Sequence, residues 1–176
     1  MNDLVILVDE KDNNVGKQEK MKAHEDAQLH RAFSIFVYNS TGDMLLQQRA
    51  DEKYHSGGLW TNTCCSHPRP DESVEQAAHR RLQEEMGFDT QLEEKFTFIY
   101  KAALDHELTE HELDHVLVGF YDGEIHINKN EAKSYRWVNT DWLMEDIEQH
   151  PERYTVWFKI AFAELLKRDK KSQNQT

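Results

Sequence analysis

Glu110 and Glu112 lie two residues apart, and in an extended segment that spacing turns both carboxylates to one side of the chain. A second reactive cluster stands upstream, in Trp60-Thr-Asn-Thr-Cys64-Cys65-Ser66-His67-Pro68. Pro68 biases His67 toward extended backbone, which brings Cys65 and His67 to one side and turns Cys64 to the other. Adjacent cysteines are poorly placed for an unstrained disulfide, so both are read as thiols, inert or reactive. The chain carries ten histidines. Three imidazoles and two carboxylates would make a ligand set for a six-coordinate divalent metal. No pair has zinc-finger spacing, and two adjacent cysteines make a poor zinc knuckle. Spacing alone does not select His24, His30 and His67 as the three. The default for a lone histidine is a surface or hydrogen-bonded residue, and it is applied to His55, His79, His106, His126 and His150. His111 and His115 take the same default, since they should face away from Glu110 and Glu112.

The segment Ser73 to Met86 is the clearest helix, because Ser73 and Gln76 have the capping-box spacing and Gly87 stands at the expected stop. Val74, Ala77, Ala78, Leu82 and Met86 form its apolar stripe. Arg81 and Glu85 project into the middle of that stripe. Buried charge is costly unless paired or bound to a metal, so the two either pair at i,i+4 or serve a site. A plain surface pair already sits on the opposite face, in Arg80 and Glu84, which favours a functional Glu85.

The other elements must position these groups. Leu4 to Val8 reads as a strand closed by the turn Asp12 to Gly16. Ala32 to Tyr38 and Met44 to Gln48, joined through Asn39-Ser-Thr-Gly-Asp43, read as a hairpin. Phe96 to Leu104, His115 to Tyr121 and Ser134 to Val138 read as strands. Thr140 to about Glu148 and Tyr154 to about Lys167 read as helices. This mixture predicts a single layered domain of the α/β or α+β class over residues 1–168, with a frayed polar tail from Asp169 to Thr176.

Composition narrows the functions. The 176 residues carry 21 Lys and Arg against 33 Asp and Glu, a net charge of −12, which disfavours nonspecific binding to nucleic acid or anionic lipid. An anionic small molecule is compatible if positive charge is gathered locally. No apolar run approaches the roughly 20 residues of a membrane span, and the start has no basic region leading a signal core. A cytoplasmic protein is expected.

The run Ser66-x5-Glu72-x7-Arg80-Arg81-Leu82-Gln83-Glu84-Glu85-Met86-Gly87-Phe88 resembles the Nudix box. Ser66 replaces the opening Gly of that pattern, and Arg81 replaces a Glu. The resemblance implies a Nudix-like mixed sheet sandwiched between helices and a retained divalent-cation site. Loss of a box carboxylate argues against ordinary diphosphate cleavage. Together with Lys20, His24, Leu29-His30-Arg-Ala-Phe, Gln48-Arg49-Ala, Lys53, the Trp60 to Pro68 run, Tyr100, Glu110-His-Glu112 and Trp157, the chain resembles the type 1 isopentenyl diphosphate isomerases from about Val5 to Trp157.

That resemblance implies a 1,3-allylic proton shift between isopentenyl diphosphate and dimethylallyl diphosphate. Cys65 and Glu112 would exchange the two protons, with Tyr100 assisting the glutamate. His24, His30, His67, Glu110 and Glu112 would hold a divalent metal, manganese, magnesium or zinc. Glu85 would hold a magnesium that arrives with the diphosphate. Lys20, Arg49, Lys53 and Arg81 match the phosphate-contacting or basic positions. Trp157, with Trp60 beside it as an alternative to core packing, would offer a π face to a carbocation. The competing readings are a Nudix hydrolase of a nucleoside diphosphate derivative and an inactive Nudix module that binds a ligand or partner. Monomer and homodimer are equally compatible with the sequence.

Overall fold

Strand β3, His30–Tyr38, is buried along most of its length because it is paired on both edges. In the computed structural model, which describes residues 3–174, it runs parallel to β8, Thr109–Phe120, from His30 opposite Glu112 to Tyr38 opposite Phe120. Along its other edge lie β1, Leu4–Val8, then β6, Cys64–Ser66, then the first residue of β4, Met44–Arg49. A parallel strand covered on both faces reads as a near-continuous apolar run, as Ala32 to Tyr38 does.

The expected hairpin of β3 and β4 exists only at its turn, through Tyr38 and Met44. Beyond that point β4 leaves to pair with β5, Trp60–Thr61, and with β9, Ala132–Val138. The opening stretch differs as well. The polar residues read as a turn from Asp12 to Gly16 continue as β2, Asn14–Glu19, antiparallel to β1. Helix α1, Lys20–Glu25, follows directly. β7, Leu92–Ala103, pairs with β8 along its length and begins earlier than the strand read from Phe96.

Two helical layers close the sheet. Helix α2, Val74–Met86, carries the predicted capping box, with Ser73 accepting from Gln76 N and Gln76 accepting from Ser73 N. It ends on Gly87 at φ 71°, where a Cβ would stand 2.2 Å from the His126 carbonyl oxygen, so only glycine fits. Ala77, Ala78, Leu82 and Met86 bury against Phe33, Ile35 and Val37 of β3 and Cys64 of β6. On the other face, α3, Thr140–Gln149, and α4, Val156–Gln173, contribute Leu143, Phe158, Phe162 and Leu165 against Phe36, Leu46 and Val116. The sheet is thus sandwiched between helices, in one domain. Helix α4 continues through Asp169 to Gln173, where a frayed tail was expected; Gln175 and Thr176 at the end of that tail, like Met1 and Asn2 at the start, lie outside the described residues. No helix among the described residues is long and apolar enough to cross a membrane.

Candidate active site

β8 delivers carboxylates to the site by simple alternation. Glu110, Glu112 and Asp114 share one face and are buried. His111 and His115 face the other way, as expected: His111 reaches the Ala27 carbonyl, and His115 lies between Asp12 and Glu94. Opposite the glutamates, α1 brings His24, β3 brings His30 from its first residue, and the segment leaving β6 brings His67.

The contacts within this group are close. His24 Nε2 lies 2.9 Å from Glu110 Oε1, and His30 Nε2 lies 3.3 Å from the same oxygen. His67 Nε2 lies 2.7 Å from Glu112 Oε2 and 3.3 Å from His30 Nε2. His24 Nδ1 donates to the Lys20 carbonyl at 2.6 Å and His30 Nδ1 to the Gln28 carbonyl at 2.8 Å. Those backbone bonds fix the rings and turn both Nε2 atoms inward, the arrangement of histidines that ligate metals.

His24 Nε2 and Glu110 Oε1 are buried without a hydrogen-bond partner. Lone pairs so close repel unless a proton or a cation lies between them. Burial works against a charged His30, yet Glu110 and Glu112 outweigh it and raise its pKa to about 10. Burial likewise pushes the Glu110 carboxyl up, and His24 and His30 overcome it, holding Glu110 well below the usual carboxylate range. A divalent ion with ligands at about 2.1 Å has neighbouring octahedral ligands about 3 Å apart, close to the spacings of these atoms. His24, His30, His67 and Glu110 offer ligand atoms all within 4.8 Å of one another, and Glu112 adjoins through His67 and His30. The residues fit a divalent metal.

The groups expected to move protons border this cluster. Glu112 Oε1 accepts a short hydrogen bond from the Tyr100 hydroxyl, which β7 places across the ladder from it. Cys65 Sγ lies 2.9 Å from Asn62 Oδ1 and 3.7 Å from Ser34 Oγ. Burial, then the charge of Asp114, pushes the Cys65 thiol up. Cys64 points into the core between β3 and α2, and burial pushes its thiol up as well, with Glu85 the next contributor.

Four cations and four carboxylates line the cleft. Lys20, Arg49, Lys53 and Arg81 border it together with Cys65, His67, Glu85, Glu110, Glu112, Glu131 and Trp157. The Arg49 guanidinium lies 5.0 Å above the Trp157 ring, and Lys20 Nζ lies 5.2 Å from the Tyr54 ring. Burial lowers the Lys20 and Arg49 pKa values. The ion pair left open by the sequence is formed: Arg81 Nη2 lies 2.5 Å from Glu85 Oε1, while Gln47 Nε2 donates to Glu85 Oε2 at 3.0 Å. Glu131 Oε2 contacts Lys53 and lies 3.5 Å from Arg81 Nη2. Glu72 is engaged on the outside of α2, accepting from Arg80 Nε at 2.6 Å and Nη2 at 2.7 Å.

Some residues take places the sequence did not give them. Trp60 packs against the core beneath α4 and does not border the cleft. His55, read as a surface or hydrogen-bonded residue, is the second of these: it is buried in the cleft wall, with Nδ1 3.2 Å from Ser56 Oγ and its ring edge-on to Trp157 at 5.3 Å. Burial, aided by Arg49, lowers its pKa to about 3, so it is neutral at physiological pH. Asn62, Ser34, Asp114 and Glu131 were also missed. Asp114 was accessible from the alternation that picked out Glu110 and Glu112; no local signal marks the other three.

A larger groove of about 590 Å³ lies between Tyr38, Phe120 and Leu165 and contains none of these groups. The cleft, not the groove, is the candidate site.

Comparison with known proteins agrees with this geometry. Residues 28–158 match the NUDIX domain family. A Serratia proteamaculans protein named isopentenyl-diphosphate Delta-isomerase is 49% identical, over 94% of this chain and 92% of that protein. An Aromatoleum aromaticum protein named isopentenyl-diphosphate Delta-isomerase 1 is 50% identical, over 94% of both chains. A crystal structure of a Deinococcus radiodurans protein superposes with a TM-score of 0.75 at 20% identity, covering 94% of this chain and 98% of that one, which shows the shared fold. Fold, site and sequence together make this chain a member of the NUDIX domain family and, within it, of the isopentenyl-diphosphate Delta-isomerases.

Proposed function

We propose that this protein interconverts isopentenyl diphosphate and dimethylallyl diphosphate by adding a proton at one end of an allyl unit and removing one from the other. The observation that carries the reading is a thiol, Cys65, and a carboxylate, Glu112 with its Tyr100 hydrogen bond, in one cleft also lined by Lys20, Arg49, Lys53 and Arg81. A hydrolase has no need of that thiol, and the box carboxylate it would require is Arg81.

An unactivated alkene is a very weak base, so the acid must sit close to carbon in a site shielded from water. Cys65 and Glu112 are assigned the two proton transfers, from opposite faces of the allyl unit. Each turnover places one proton on carbon and takes another off, so the two groups finish with their protonation exchanged and are reset by solvent. Tyr100 holds Glu112 and hands on its proton. Trp157 gives aromatic surface to the tertiary carbocation.

His24, His30, His67, Glu110 and Glu112 are the proposed ligands of one divalent metal, manganese, magnesium or zinc. When bound, such an ion adds positive charge that orients Glu112 and tunes its acidity. Glu85 is assigned to a magnesium that accompanies the diphosphate, since magnesium favours one or two carboxylates plus phosphate oxygens. Lys20, Arg49, Lys53 and Arg81 are assigned to the diphosphate itself, supplying local positive charge in a chain of net −12. The enzyme is placed in the cytoplasm, in keeping with its two free thiols.

The test is conversion of isopentenyl diphosphate, with magnesium, into an acid-labile allylic diphosphate. The expected result is conversion without phosphate release. Release of inorganic phosphate in place of isomerisation would transfer the reading to hydrolysis.

A further inference from the structure

Asn62 stands between β5 and β6 and is fully buried. Its amide is oriented by its partners at both ends. Nδ2 donates to the Ile35 carbonyl at 3.0 Å and to the Cys64 carbonyl at 3.1 Å. Backbone carbonyls only accept, so the nitrogen must face them and Oδ1 must face the other way. There Oδ1 receives the Thr61 hydroxyl at 3.0 Å and the Cys65 thiol at 2.9 Å. Thr61 is held in turn by the Thr155 hydroxyl, at the N-cap of α4, 3.0 Å away. A flipped amide would set its oxygen against two carbonyl oxygens and lose both bonds, which the interior penalises.

A second, more distant neighbour of the thiol is Ser34. Ser34 donates its hydroxyl proton to Asp114 Oδ2 at 2.7 Å, which leaves an oxygen lone pair for Cys65 Sγ at 3.7 Å. Both neighbours of the sulfur therefore present acceptors.

We propose that Asn62 is a positioning residue: its pinned amide, at 2.9 Å against 3.7 Å for the Ser34 hydroxyl, takes the single Cys65 S–H proton and fixes the thiol in one orientation at the wall of the cleft. The proposal rests on the assignment of Cys65 to proton transfer. A cysteine side chain otherwise has three staggered rotamers about χ1. Proton transfer to or from carbon tolerates little displacement, and a misplacement of about 1 Å can cost about 100-fold in rate. Of the groups assigned to the chemistry, Asn62 hydrogen-bonds Cys65; its other bonds go to Thr61 and to the Ile35 and Cys64 carbonyls.

The test reads the S–H bond directly. The infrared difference between the parent and Cys65→Ala isolates the Cys65 S–H stretch. In the parent that band is expected at lower wavenumber than a free thiol, because the thiol donates to Asn62. A band at the free-thiol position overturns the proposal even if no Asn62 variant folds. In Asn62→Ala, paired with Asn62→Ala/Cys65→Ala, the band is expected to move toward the free-thiol position. kcat should fall about 100-fold while KM for isopentenyl diphosphate and Mn²⁺ binding stay within about twofold. An unmoved band, or a loss confined to KM, metal binding or thermal stability, overturns the positioning role. Full turnover in Asn62→Ala with an inactive Cys65→Ala removes Asn62 alone, whereas turnover in Cys65→Ala removes the underlying assignment and this proposal with it.

Discussion

Stripping the metal from the His24, His30, His67, Glu110 and Glu112 site should lower the melting temperature by several degrees. The proposed ligands come from α1, β3, the segment after β6, and β8. An unfolded chain does not hold these four segments together, so the ion binds the native state selectively. At one hundred times its Kd, such an ion stabilises by about 2.7 kcal/mol. In a chain of this length each kcal/mol shifts the midpoint by about 2–4 °C, giving about 5–11 °C in total. Little rearrangement opposes binding, because His24 and His30 are already aimed by the Lys20 and Gln28 carbonyls. The assay is thermal unfolding of chelator-treated protein titrated with Mn²⁺, Mg²⁺ or Zn²⁺, alongside His30→Ala. His30→Ala leaves a cavity and melts lower in any case, so the quantity compared is the ion-dependent shift. A shift of equal size in His30→Ala, or none in the parent with any of the three ions, would refute the reasoning.

Other outcomes follow from the same geometry. Cys65→Ala should abolish turnover, whereas Cys64→Ala, which alters packing beneath α2, should retain most of it; steady-state rates for the two are the check, and equal activities contradict the assignment. Glu112→Gln should lose about 10²–10⁴-fold in kcat with an unchanged circular dichroism spectrum, and retained turnover takes the carboxylate out of the proton transfers. His55 gives a pH dependence. Its folded pKa, about 3, lies below the ordinary 6.5, so below pH 6.5 the unfolded chain gains a proton that the folded chain refuses. Its stability contribution is therefore complete above pH 6.5 and declines by about 1.4 kcal/mol per pH unit down to about pH 3. That corresponds to about 3–6 °C per unit in this range. His55→Gln should melt with a shallower acid dependence, and parallel slopes in parent and variant would show that His55 is not buried neutral.

What the sequence made legible is local. The capping box of α2 and its stop at Gly87 follow from side-chain chemistry within a few residues, and both are present. The shared face of Glu110 and Glu112 follows from strand alternation, as does the placement of His111 and His115 on the opposite face. What escaped depends on distant partners. β3 and β4 part after one residue pair because β8 and β6 occupy the edges of β3, and parallel pairing with β8 leaves no local trace. α1 has six residues and no side-chain cap, yet it carries Lys20 and His24. β2 is polar because it lies at the sheet's edge beside β1. His55 sits in a loop of ordinary composition and is buried only because Trp157 and Tyr54 close around it. The choice of three histidines from ten came from family resemblance, and their convergence on Glu110 is a property of the tertiary structure.

The central claim is tested most directly by incubating the protein with isopentenyl diphosphate and Mg²⁺ in D₂O, after reconstitution with Mn²⁺ or Zn²⁺, and following proton and phosphorus NMR together. The account predicts dimethylallyl diphosphate carrying solvent deuterium with the diphosphate resonances intact, because Cys65 and Glu112 both exchange with solvent between turnovers. Release of phosphate, or unchanged isopentenyl diphosphate in the reconstituted protein, would contradict it.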